Sequence, residues 1–166
     1  MSVIEQSTLK TLQKSSVLLS FLTDEQLCNV SVPPYHSSIG THIRHILDFY
    51  NCIFNLNVDN KIDLTARGRN KEIETNCSYA QRYLEDVIKK LNSTNFNIKE
   101  IVWVIDDLGM GKIEIPYTYG ALLTHANSHT IHHYAIINYI LNGLNIDFKD
   151  ENFGYNPTTP NNTLAE

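Results

Sequence analysis

The sequence predicts an all-α chain, a four-helix bundle with a small β-hairpin between its third and fourth helices. Three observations lead there. Four long segments repeat apolar residues at helical spacing, the stretch before the last of them changes to a period of two, and six of the seven histidines fall within two of the helical segments. At 166 residues the chain is expected to form one domain with a sizeable core.

In chain order, residues 2–22 set Val3, Ile4, Leu9, Leu12, Val17, Leu18, Phe21 and Leu22 at helical spacing, which makes a first helix. Residues 23–37, with Pro33 and Pro34, form a connection that has room for a helical turn over 24–27. Ser37 and Ser38 offer N-caps to a second helix over 39–56. A polar link covers 58–69, and a third helix follows over 71–92 through Ile73, Tyr79, Ala80, Leu84, Val87 and Leu91.

Residues 101–105 are then β-branched and aromatic, 106–111 contain two glycines, and 112–116 alternate strictly, the pattern of a hairpin that Trp103 anchors on the bundle. The fourth helix covers 118–142 and closes at Asn142-Gly143 as a left-handed cap. Residues 1–145 thus form the bundle domain. Residues 146–166, rich in Asn, Pro and Thr, read as a C-terminal tail on the surface, disordered at its end.

Composition narrows the function classes. A net charge of −5 and a pI near 5.8, with no basic run, argue against nucleic acid as a partner. No stretch approaches the ~20 apolar residues of a membrane span, and no signal peptide is visible, so a cytoplasmic protein with no membrane partner is expected. Cys28, Cys52 and Cys77 are odd in number and widely spaced, as suits buried free thiols.

The histidines carry the chemistry. The fourth helix holds His125, His129, His132 and His133, and the second holds His42 and His45. Residues four apart share a helix face, so His129 and His133 point together into the apolar side formed by Leu122, Ala126, Ile136, Ile137 and Ile140. His125 and His132 lie on its flank. Two buried imidazoles need partners, and one divalent metal ion would serve both. A third ligand would come from the second helix, where spacing does not choose between His42 and His45. Three imidazoles with open positions for water describe a catalytic metal site, and they suit zinc or nickel first and iron next.

Other candidates have two readings. Arg67 and Arg69, in the polar link, are either a carboxylate-binding pair beside the pocket or solvated loop charges. Asp48 falls on the polar side of its wheel and is expected to face solvent rather than orient a histidine. Tyr117, Tyr119 and Tyr134 read as packing residues.

Ser38-Ile-Gly-Thr-His-Ile-Arg-His45-Ile-Leu-Asp48 and His129-Thr-Ile-His-His133-Tyr-Ala resemble the two signature segments of the DinB-like (YfiT-like) superfamily of metal-binding bundles. The resemblance spans helices two to four. It implies up-up-down-down connectivity, with long crossings at 57–70 and at the hairpin, and a frequent homodimer. It also implies ligation by His45, His129 and His133, with His42 behind them or lining the same pocket, while His132, on the flank of its wheel, reads as a residue behind the ligands or at the boundary. Its characterised members include metal-dependent transferases that use low-molecular-weight thiols. The expected function is therefore a divalent-metal-dependent transferase joining a small thiol to an electrophilic substrate. A non-catalytic, stress-associated metal-binding bundle and a metal-dependent hydrolase are the alternatives.

Overall fold

The structure is a computed structural model, and it describes residues 1–57, 59–95 and 97–159. Helix α1 (Val3–Phe21) begins with a capping box in which Ser2 and Glu5 satisfy each other's backbone N–H groups. Thr23 and Gln26 repeat the device at the short helix α2 (Asp24–Cys28). Ser38 caps helix α3 (Ile39–Phe54) by accepting from the Thr41 N–H. Strand β1 (Lys61–Asp63) and helix α4 (Glu72–Thr75) lie in the following link, ahead of helix α5 (Cys77–Ser93). Strands β2 (Ile101–Asp107) and β3 (Lys112–Thr118) then lead into helix α6 (Tyr119–Gly143).

Among the described residues, six helices and a three-stranded mixed sheet make this an α/β mixed fold, which corrects the expected all-α four-helix bundle. The expected hairpin is present as β2 and β3, but β1 joins it as a parallel edge, with Ile62 opposite Val104. Three residues are too few to show a period in sequence. Ile62, fully buried, is the strand's one apolar residue.

The third predicted helix is also two elements. Asn76 takes an extended conformation between them, and its side chain caps the Tyr79 N–H. Trp103 does not anchor the hairpin. It lies on the outer face with 43% exposure, while Val102 and Val104 are buried against the helices.

The four long helices run up-down-down-up rather than up-up-down-down. In α1 and α5, Leu22 meets Cys77 and Ser16 meets Gln81, an antiparallel pair. Helices α3 and α6 are antiparallel too, since His42, His45 and Phe49 meet His133, His129 and His125 in turn. Helices α3 and α5 are parallel neighbours, with Asp48 near Tyr83 and Asn51 bonded to Lys90. A parallel pair needs a connection that returns along the bundle, and residues 55–76 make that return while contributing β1 and α4. The hairpin, by contrast, leaves and re-enters at one end, where Tyr119 and Gly120 donate to the carbonyls of Glu100 and Ile98.

Two glycines mark close approaches. A Cβ at Gly40 would collide with the Glu74 backbone carbonyl, so α3 and α4 touch through bare backbone. Gly40→Ala is expected to cost about 1–3 kcal/mol in urea unfolding, because backbone cannot rotate aside. A Cβ at Gly143 would come within 2.7 Å of Val32 Cγ1, so this glycine serves packing. The expected left-handed cap falls instead at Asn145, whose φ is 55°.

Residues 146–155 fold back over α1 and α6. Lys14 pairs with Asp150 at 2.9 Å, and Phe148 meets Phe21. Phe153, 1% exposed, stacks on Tyr134 with ring centroids 4.5 Å apart. The expected disorder at the end of the tail falls on residues 160–166, outside the described ones.

Candidate metal centre

Helix α6 supplies two rungs of one face, and α3 faces it across the bundle. His45 Nε2 lies 2.8 Å from His129 Nε2, and His133 Nε2 lies 3.1 Å from the same atom. The three residues offer donor atoms that all fall within 4.8 Å of one another, close enough to hold a metal ion. Donors ~2.0–2.1 Å from a common ion stand ~3.0 Å apart on an octahedral face and ~3.3 Å apart in a tetrahedron, so these two spacings lie nearer the octahedral value. His45 and His129 are half-buried and His133 is the deepest of the three.

Hydrogen bonding alone satisfies this arrangement poorly. A neutral imidazole has one N–H, and His129 Nε2 faces two neighbouring ring nitrogens with a single proton or a single lone pair. Charging the rings is no remedy. Burial is the first cause that holds His45 down to about 3, with the Arg67 guanidinium next, and burial also holds His129 down to about 4 and lowers His133. The donors are therefore neutral at neutral pH, the form a metal takes.

These depressed histidines set a pH dependence for the metal-free protein. The unfolded chain gains protons below about 6.5 that the folded chain refuses until near 3–4, so stability is greatest above 6.5 and falls on acidification. Thermal midpoints measured with chelator should decline from pH 7 to pH 5. The decline should be shallower in His129→Asn, which removes one of the reluctant bases.

The remaining candidates take distinct places. Arg67 donates from Nη1 to His45 Nδ1 at 3.1 Å and from Nε to the Leu64 carbonyl. A guanidinium only donates, so this contact keeps the His45 proton on Nε2, and His45 can ligate through Nε2 only when Arg67 releases Nδ1. Arg69 is exposed and joins the surroundings through its backbone N–H, which donates to Asp48. The two arginines are not a pair at the site.

His42 contacts His133 ring to ring, Nδ1 to Nδ1 at 2.9 Å, while His132 is exposed beside the cluster. His125 lies between Phe49 and Tyr117, and Phe49 also stacks on His129 at 5.0 Å. Tyr119 and Tyr134 are buried packing residues, as expected.

No family model, curated protein or solved structure matches the chain.

Asp48 overturns its expected exposure. It is 1% exposed and receives Arg44 at 2.7 Å, while Arg44 reaches Glu74 at 2.6 Å. This network ties α3 to α4 and, through the Arg69 N–H, to the loop that carries Arg67. It was missed because α3 is covered by α2, α4, α5, α6 and β1, so its polar side is buried as well. The available signal was the spacing of Arg44 and Asp48, an i,i+4 ion pair.

The cysteines are free but only Cys52 is buried; Cys28 is exposed and Cys77 intermediate. Among the described residues no helix is long and apolar enough to cross a membrane.

Proposed function

We propose that the chain is a divalent-metal-dependent transferase of the DinB-like kind, which joins a small thiol to an electrophilic substrate. The observation that carries this is the convergence of His45, His129 and His133 within reach of one ion, three protein ligands where a closed structural site would have four. Zinc or nickel is the first choice of ion and iron the next. Such an ion, when bound, lowers the pKa of a thiol in its open position.

The chain's own residues supply the rest. Burial keeps the three imidazoles neutral. Arg67 stands beside His45 with a charge suited to the carboxylate of a small thiol. Phe49 and Tyr117 give an apolar wall behind His125 and His129. The nucleophile comes with the substrate: Cys52 points to the Ala66 carbonyl, and burial pushes its thiol up to about 11.

The test is a panel of bacillithiol, glutathione, cysteine and coenzyme A with chlorodinitrobenzene or monochlorobimane, run on protein purified without a histidine tag. Metal-dependent turnover with one thiol, lost in His133→Ala, is the expected result. Inactivity across the panel with a chelator-resistant ion would favour a non-catalytic metal-binding bundle instead.

A further inference from the structure

We infer that Ser37 and His42 form a hydrogen-bond relay that fixes the tautomer of His133 and presents its Nε2 lone pair to the cluster. The inference rests on the metal-binding part of the proposed function and adds a residue whose task is to position a ligand. His42 Nδ1 lies 2.9 Å from His133 Nδ1, and His42 Nε2 lies 2.9 Å from Ser37 Oγ. The three groups are thus in line, from the residue before the α3 cap to the deepest histidine of the cluster.

Proton counting gives the relay its direction. Two rings that meet Nδ1 to Nδ1 share one proton, so one donates and the other accepts. If His42 donated, the His133 proton would sit on Nε2 and point at His129 Nε2, which already faces His45 Nε2 at 2.8 Å. His133 would then have no Nε2 lone pair to give an ion, so ligation through Nε2 excludes this direction. If His133 donates, His42 carries its proton on Nε2 and passes it toward Ser37 Oγ, a hydroxyl that can accept. His133 Nε2 is then left as a lone pair aimed into the cluster. A ligating histidine ordinarily gives its second N–H to an acceptor, and loss of that acceptor costs ~10–100-fold in metal affinity.

Helix geometry explains why His42 can do this while staying outside the triad. His42 and His45 are three apart on α3, so they stand on adjacent turns, as do His133 and His129 on the antiparallel α6. His45 meets His129 through Nε2 and His42 meets His133 through Nδ1. The two rings that spacing could not tell apart are given different tasks by which nitrogen each turns inward.

Two substitutions and one spectrum test the relay. His42→Phe keeps the ring volume and removes the acceptor, whereas His42→Asn keeps an acceptor oxygen at the Nδ1 position. Zinc affinity, measured by competition with a chromophoric chelator, should fall ~10–100-fold in His42→Phe and stay within about threefold of wild type in His42→Asn. Nitrogen-15 NMR of the zinc-loaded wild-type protein should show His133 coordinated through Nε2 and protonated at Nδ1.

Equal affinity in His42→Phe and wild type, equal losses in both variants, or zinc held by His133 Nδ1 would overturn the relay. Absence of thiol turnover with these affinities as expected would defeat the transferase and leave the relay standing.

Discussion

Replacing His129 or His133 with alanine is expected to remove the metal, taking protein purified without a tag from about one ion per chain to none. Each ligand of a zinc site carries roughly a quarter of the ~10–16 kcal/mol of binding free energy, so one loss costs on the order of 10²–10³-fold in affinity. His45→Ala should behave the same way, because its Nε2 closes the triangle with His129. Elemental analysis after dialysis reads the result directly. Stoichiometric metal retained in both the His129 and the His133 variants would end the assignment. Loss in His42→Ala with retention in His45→Ala would exchange the roles of the two α3 histidines.

The second large effect is a split at Arg67. Its guanidinium holds His45 Nδ1 and lowers the basicity of the ring, so it competes with ligation by His45. Arg67→Ala should therefore bind zinc at least as tightly as wild type. The same variant should lose the charge that receives a substrate carboxylate, raising KM for a carboxylate-bearing thiol ~10–100-fold, the range of a charge-assisted hydrogen bond. Cysteamine, a thiol with no carboxylate, should show no such rise. Weaker zinc binding in Arg67→Ala, or equal KM shifts for both thiols, would count against this role.

The helical content was legible because burial on one side writes itself into sequence as a period. Leu12, Leu84 and Leu122 follow it, and all are fully buried. The pair His129 and His133 was legible for the same reason, since one helix brings them together without help from the rest of the fold. What escaped depends on partners distant in sequence. His42 and His45 could not be ranked by spacing, because both turn toward α6 and differ only in which nitrogen they present.

Asp48 looked solvated on its own helix and is covered by α4 and the loop at 64–70, neither of which a helical wheel contains. Strand β1 has its hydrogen-bonding partner some forty residues on, and Lys61-Ile62-Asp63 is too short to announce it. Gly143 reads in sequence as a helix-terminating cap, but its role is set by Val32, more than a hundred residues earlier, which packs against it.

The stacking of Phe153 on Tyr134 has a consequence for how the chain is made. A ribosome releases the N-terminus first, so α1 and α3 emerge long before the helix that completes their core. His42 and His133 are 91 residues apart in sequence and His45 and His129 are 84 apart, so the histidine cluster closes late. Even then α6 is uncovered on its far side, because Tyr134, the neighbour of His133, receives Phe153 only after another nineteen residues have been added. A nascent chain halted just after Gly143 would carry every histidine of the cluster, with Tyr134 still lacking the ring that covers it.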